Sequence, residues 1–118
     1  AFPYLHEVGA AMAAADLVVS RAGASALGEY PYFALPAILV PYPYAWQYQK
    51  VNADYLVDRD AAILLEDSRL MTELHETIEN LMQNPGKLAR MSNAMRSLTH
   101  PNAAENIAEL LYEMAGAA

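Results

Sequence analysis

Apolar and helical segments alternate through the first half of the chain. The run Ala37-Ile38-Leu39-Val40 is apolar at every position, as in a strand buried on both faces, and Pro36 and Pro41 stand at its two ends. Other apolar runs lie on either side, each separated from it by a helical pattern. The predicted elements are a helix at 10–15, a strand at 17–20, a helix at 25–33, a strand at 37–40, a helix at 46–57 and a strand at 61–65.

From residue 67 onward the apolar positions follow a helical period only. A cap at Asp67 or Ser68 is predicted to begin the first of these helices, and the turn sequence Asn84-Pro85-Gly86 separates it from the second. Pro101 suits the first turn of a third helix. The apolar stripes of the three helices are Leu70, Leu74, Ile78 and Leu81; Leu88, Met91 and Met95; and Ala104, Ile107, Leu111 and Met114.

The order of elements predicts an α/β fold, a partial Rossmann-like doubly wound parallel sheet with a C-terminal helical tail. At 118 residues the chain has the length of one domain, with a βαβ core over 1–66 and the tail over 67–118. Three strands are few for an open sheet, and no strand and Gly-rich loop precede Phe2, so we expect a domain truncated at its N-terminus. An incomplete sheet has an exposed edge, which predicts self-association through that edge.

Composition excludes several classes of function. The net charge of −7 argues against nucleic-acid binding, and the absence of cysteine excludes disulfides and thiolate metal sites. The three histidines, His6, His75 and His100, lack the spacing of metal ligands. No apolar run is long enough to span a membrane. We therefore expect a cytoplasmic α/β domain without metal or cofactor.

A loop of small residues follows the first strand. The backbone N–H groups of Ala24, Ser25 and Ala26 at a helix start could bind a phosphate, with Gly23 keeping side-chain bulk away. The same arrangement is also ordinary in α/β proteins that bind nothing there. Glu29, about one turn further on, could accept hydrogen bonds from a ribose diol or could simply interact with the helix dipole.

The loop after the second strand offers neutral amides. Gln49 and Asn52 are i, i+3 neighbours near the start of a predicted helix, so they can present two amides on one face, which suits sugar hydroxyls. Solvated or capping roles are the alternative, because Gln and Asn commonly have them in a first turn.

Two stretches together resemble a known family. "ADLVVSRAGASALGE" and "LPAILVPYPYAWQYQKVNADYL" are similar to the C-terminal, donor-binding domain of the MurG family, inverting glycosyltransferases of family 28 with the GT-B architecture. The resemblance implies that the small-residue loop binds the diphosphate of UDP-N-acetylglucosamine. The intact enzyme would transfer the sugar to a lipid-linked muramoyl-pentapeptide in peptidoglycan synthesis, as a peripheral protein at the cytoplasmic face of the cell membrane.

The resemblance also implies residue roles. Backbone groups of Leu5 would read the uracil edge, and Glu29 would bind the ribose hydroxyls. Ala24, Ser25 and Ala26 would meet the phosphates, and Gln49 and Asn52 the N-acetylglucosamine ring. Arg21 and Tyr48 belong to the same motifs, Arg21 as a ligand contact or as a brace of the loop. Ala34 and Asp60 stand where glycine is commoner in the family.

The catalytic residues and the acceptor site would belong to an N-terminal domain that has no counterpart in this chain. We therefore expect no catalytic residue here, and expect the fragment alone to be inactive. Two alternatives stay open: the donor-binding domain of another UDP-sugar glycosyltransferase, and a non-enzymatic Rossmann-like module for nucleotide binding or protein interaction.

Overall fold

The computed structural model describes residues 8–99, which contain a three-stranded parallel sheet and five α-helices. The strands lie in the order β1-β2-β3. The predicted α/β fold is therefore confirmed, whereas the third tail helix and Leu5 lie outside the described residues. The elements are α1 Val8–Ala14, β1 Val18–Ser20, α2 Ala24–Tyr32, β2 Ala37–Leu39, α3 Trp46–Val57, β3 Ala62–Leu64, α4 Leu70–Met82 and α5 Pro85–Ser97.

The central strand β2 is buried on both faces, as its uniformly apolar run predicts. Ala37 and Leu39 point into one cluster, formed with residues of α2, α3 and the C-terminal half of α5. Ile38 and the following Val40 point into a second cluster, with apolar residues of α4 and the middle of α5. Helices therefore cover both faces of β2, and the carboxyl ends of the strands stay open for loops.

The helix boundaries in the tail correct one prediction. Neither Asp67 nor Ser68 caps α4: they belong to a 3₁₀ turn, Asp67–Arg69, and the N-cap of α4 is Arg69, which makes no side-chain cap bond. The Asp67 carboxylate is used elsewhere, because it accepts a hydrogen bond from Arg21. The predicted break at 84–86 is confirmed, since the Asn84 side chain accepts from the Lys87 N–H at 3.1 Å and so caps α5.

Two residues other than glycine, each in the turn that ends a helix, have a left-handed backbone conformation. Ala34 has φ 51° and Asp60 has φ 62°. At the end of α2 the N–H of Ala34 donates to the Pro31 carbonyl and that of Leu35 to the Tyr30 carbonyl, which is the Schellman pattern. Asp60 occupies the same position after α3. A residue with a Cβ is strained in this conformation, and aspartate tolerates it better than alanine.

Replacement of Ala34 by glycine should stabilise the chain. Glycine removes the Cβ strain at φ 51°, and we expect the free energy of unfolding to rise by about 1 kcal/mol. Thermal melts measure this as a higher Tm. Ala89→Gly is the matched control, because Ala89 lies inside α5 and the same change there should lower stability by about 0.5 to 1 kcal/mol. A lower Tm for Ala34→Gly would contradict the assignment of strain.

Candidate functional site

Three loops meet at the carboxyl ends of the parallel strands, where ligands of open α/β sheets bind. The first, residues 21–23, leads from β1 into α2. The second follows β2 and contains a 3₁₀ turn, Pro43–Ala45, directly before α3. The third follows β3 and contains the 3₁₀ turn Asp67–Arg69. Every candidate site residue within the described part of the chain lies on the first two loops or on the helices that follow them.

The fold itself does not require a glycine at position 23. Gly23 has φ −72° and ψ 174°, an extended conformation open to any residue, and a Cβ added there would meet no atom within 4 Å. It is the N-cap of α2 and has no side chain to satisfy the helix start. An open backbone at the positive end of a helix is well suited to the close approach of an anion.

The N–H groups at the start of α2 differ in their availability. The Ala26 N–H donates to the Gly23 carbonyl at 3.1 Å, and Ala26 is buried. The N–H group of Ala24 has no hydrogen-bond acceptor within residues 8–99, as expected for a first helical turn. Of the predicted phosphate contacts, Ala24 therefore presents a free backbone donor, whereas the Ala26 N–H is used within the protein.

Side chains from other elements hold this loop in place. The Asn52 amide Nδ2 on α3 donates to the Ala22 carbonyl at 3.0 Å. The hydroxyl of the buried Tyr30 donates to Ser20 Oγ at 2.7 Å, and Ser20 Oγ donates to the Arg21 carbonyl at 2.9 Å. The residues before Gly23 are thus fixed from both α2 and α3.

Arg21 connects the loops that follow all three strands. Its guanidinium Nη1 donates to the Val40 carbonyl at 3.3 Å and to the Asp67 carboxylate, with which it forms an ion pair. The guanidinium carbon also lies 5.1 Å from the centre of the Tyr42 ring. Of the two roles left open for Arg21, the geometry favours the brace over the ligand contact. No pattern in the sequence indicates that Asp67 takes part in this contact.

Gln49 also contributes to loop structure. Its Oε1 accepts a hydrogen bond from the Tyr42 N–H at 2.7 Å, which holds the loop after β2 against α3. Its amide nitrogen and the Asn52 Oδ1 have no hydrogen-bond partner in the described residues. In each of these two predicted sugar-binding side chains, one polar atom of the amide is therefore hydrogen-bonded within the protein, and the other is available to a ligand.

Glu29 is half-buried on α2, in its second turn. Its carboxylate makes no hydrogen bond or ion pair with any residue of the described range. The first turn of α2 contains no acidic residue, and interaction with the helix dipole falls off beyond that turn. The position therefore favours the ribose-diol interpretation of Glu29 over the dipole interpretation.

Exposed aromatic side chains surround the loop after β2. Tyr48 on α3 is 80% exposed and Tyr44 is 88% exposed, and the rings of Tyr42 and Tyr44 lie 5.3 Å apart. Val51 and Tyr55 continue the exposed stripe along α3. Of these residues, only Tyr48 belongs to the predicted site. The i, i+3, i+7 spacing of Tyr48, Val51 and Tyr55 is the sequence signal that could have indicated the whole stripe.

The described range contains no group of three or more His, Asp or Glu side chains arranged to hold a metal ion. His75 is on the surface of α4, with Nε2 3.0 Å from the Glu79 carboxylate, whereas His6 and His100 lie outside residues 8–99. None of the helices in that range has the length and apolar character needed to cross a membrane.

Comparisons with known proteins agree on one family. The model of the glycosyltransferase family 28 C-terminal domain matches residues 1–107. A relative from Desulforamulus reducens, named UDP-N-acetylglucosamine--N-acetylmuramyl-(pentapeptide) pyrophosphoryl-undecaprenol N-acetylglucosamine transferase, is 44% identical over 89% of this chain and 29% of its own length. A relative of the same name from Xanthomonas oryzae pv. oryzae is 42% identical over 97% of this chain and 26% of its own length.

A solved structure agrees with these matches. The crystal structure of MurG from Acinetobacter baumannii superposes with a TM-score of 0.77 and 28% sequence identity, over 95% of this chain and 33% of that protein. The chain thus spans about a quarter to a third of the length of the proteins it matches. The α/β architecture, the matched family model and these relatives together show that the chain belongs to the glycosyltransferase family 28 C-terminal domain family.

Proposed function

We propose that this chain is the donor-binding part of a longer glycosyltransferase, called the complete enzyme below. That enzyme transfers N-acetylglucosamine from UDP-N-acetylglucosamine to a lipid-linked muramoyl-pentapeptide acceptor during peptidoglycan synthesis. The observation that carries the proposal is the loop at Gly23, open to an anion at the start of α2 and held by Arg21 and Asn52. The identities of the sugar and of the acceptor in this proposal are inferred from the names of the relatives.

Each part of the donor has a proposed partner. The backbone N–H groups of Ala24 and Ser25 bind the diphosphate, with Gly23 allowing its close approach and the start of α2 contributing positive potential. Glu29 accepts hydrogen bonds from the ribose hydroxyls. Gln49 and Asn52 bind the sugar ring through the polar atoms that the loops leave available, and Leu5 reads the uracil edge.

The helix start also has a role in the reaction. The acceptor 4-hydroxyl attacks the anomeric carbon with inversion and loses its proton to a general base. Its bond to that carbon forms as the bond to the diphosphate oxygen breaks, and UDP leaves with the electron pair. Negative charge therefore grows on the diphosphate in the transition state, where fixed N–H donors stabilise it more than they stabilise the substrate. The general base and the acceptor site are proposed to belong to the rest of the complete enzyme, at the cytoplasmic face of the membrane.

A transfer assay tests the proposal. The purified complete enzyme is incubated with labelled UDP-N-acetylglucosamine and the lipid-linked acceptor, and the expected products are a lipid-linked disaccharide and UDP. UDP-glucose and UDP-N-acetylgalactosamine serve as matched donors. Preference for one of these would indicate a different UDP-sugar transferase, and UDP binding without transfer from any donor would indicate a non-enzymatic module.

A further inference from the structure

A groove of about 800 Å³ lies beside β3, between the end of α3 and the first half of α5. Apolar side chains line part of it, among them Ile63 and Met91, and three cationic residues line it as well: Arg59, Lys87 and Arg90. None of its lining residues belongs to the proposed donor site. The groove is therefore a separate feature that the transfer reaction does not explain.

The cations of this groove are unusual in so acidic a chain. The protein has seven Lys and Arg residues against fourteen Asp and Glu, yet three of the seven line this one groove. Lys87 and Arg90 form no ion pair within residues 8–99, and Arg59 lies over the Tyr55 ring at 3.9 Å. Asp60 is the one carboxylate that lines the groove. The lining of the groove therefore has a net positive charge, which is complementary to an acidic ligand.

The backbone of β3 adds a second element of recognition. The Leu65 N–H donates to the Leu39 carbonyl at 2.9 Å, on the side of β2. Because backbone groups alternate in direction along a strand, the N–H and C=O groups of Ala62 and Leu64 point the opposite way, toward the outer edge. In the described sheet no strand pairs with that edge. Ala62 and Leu64 both line the groove, so the edge can pair with another extended chain.

We propose that this groove binds an extended acidic segment of a partner polypeptide, which adds as a strand beside β3. The segment's backbone pairs with Ala62 and Leu64, its alternate apolar side chains contact Ile63 and Met91, and its carboxylates lie against the cations. A free phosphate would use the cations alone, and a flat membrane surface could not reach the strand edge. The combination of charge, apolar lining and unpaired backbone therefore favours a peptide.

The test uses the pentapeptide acetyl-Glu-Val-Glu-Val-Glu-amide and the isotope-labelled chain. We expect the amide resonances of Ala62 and Leu64 to shift on titration and their hydrogen exchange to slow. Arg90→Glu should weaken binding about fivefold at low ionic strength. Arg96→Glu is the matched control, because it changes the charge equally on the same helix and Arg96 does not line the groove; its affinity should stay unchanged.

Other outcomes would overturn the proposal. Equal weakening by Arg90→Glu and Arg96→Glu would indicate attraction to overall charge only. Equal binding of the lysine counterpart peptide would exclude charge recognition. Displacement of the peptide by inorganic pyrophosphate, with no slowing of exchange at Ala62 and Leu64, would indicate a simple anion site. Binding of phosphatidylglycerol vesicles without peptide binding would indicate a lipid surface, and no binding at millimolar peptide would leave the groove without this role.

Discussion

Gly23→Ala should weaken the binding of UDP-N-acetylglucosamine to the complete enzyme about tenfold or more, without destabilising the fold. The added Cβ meets no protein atom and φ is −72°, so the chain can accommodate alanine. Alanine restricts the unfolded chain, which favours folding by about 0.4 to 1 kcal/mol, but it is a poorer N-cap for α2 than glycine. The two effects oppose each other, so the free energy of unfolding should change little. In the proposed complex, however, the methyl group displaces the diphosphate from the helix start, and each lost hydrogen bond to a charged group is worth about 1.5 to 3 kcal/mol.

Gly28→Ala is the control for this experiment. Gly28 lies inside α2, and a Cβ there also meets no atom within 4 Å. It should therefore raise stability by about 0.5 to 1 kcal/mol and leave the donor KM unchanged. Donor KM values of the complete enzyme and thermal melts of the chain give both quantities. If Gly23→Ala left the donor KM unchanged, as is expected of Gly28→Ala, the phosphate would not bind at Gly23.

Glu29→Gln should also reduce donor affinity at least about tenfold while hardly changing stability. The carboxylate has no partner in residues 8–99, so folding does not depend on its charge. An amide keeps the shape but replaces one of the two acceptor oxygens with an NH2 donor and removes the charge, so we expect a loss of about 1.5 to 3 kcal/mol in donor binding. Steady-state kinetics with the donor varied measures this as a fall in kcat/KM.

Glu76→Gln is the matched control for the Glu29 experiment. Glu76 is exposed on α4, and the same substitution there should leave donor kinetics unchanged. Acceptor KM should be close to normal in both variants, because Glu29 is proposed to contact the donor alone. An unchanged donor KM and kcat/KM in Glu29→Gln would show that Glu29 is not part of the site. A lower Tm of the same variant would favour the helix-dipole interpretation instead.

The secondary structure of the described region could be predicted because it depends on local patterns. The uniformly apolar run at 37–40 predicts a strand covered on both faces, and β2 is buried on both. The i, i+3, i+4 spacing from Leu70 onward predicts α4. The cap of α4 could not be assigned in this way, because Asp67 forms a hydrogen bond with Arg21, which is 46 residues away in sequence.

The sequence predicts which residues form the candidate site, but it does not predict the contacts that their side chains make within the protein. The motifs singled out Arg21, Gln49 and Asn52, yet the bonds that these side chains make to the Val40, Tyr42 and Ala22 backbones depend on how the loops meet. Composition and spacing do not encode such distances. The roles of the site residues toward the donor stay a prediction, as do Leu5, the predicted self-association through the sheet edge and the division of the chain at residue 66.

The contacts of Arg21 and Asn52 have a consequence for the thermodynamics of donor binding. A flexible phosphate loop loses conformational entropy when it closes on its ligand, and that loss lowers the affinity. Here the residues before Gly23 are already ordered by bonds from α3 and from the turn after β3. The conformational entropy of this loop is therefore lost when the chain folds and not when the donor binds. The donor binds to a preorganised surface. Asp67, which is not itself one of the predicted site residues, thereby contributes to affinity through the order it imposes on Arg21.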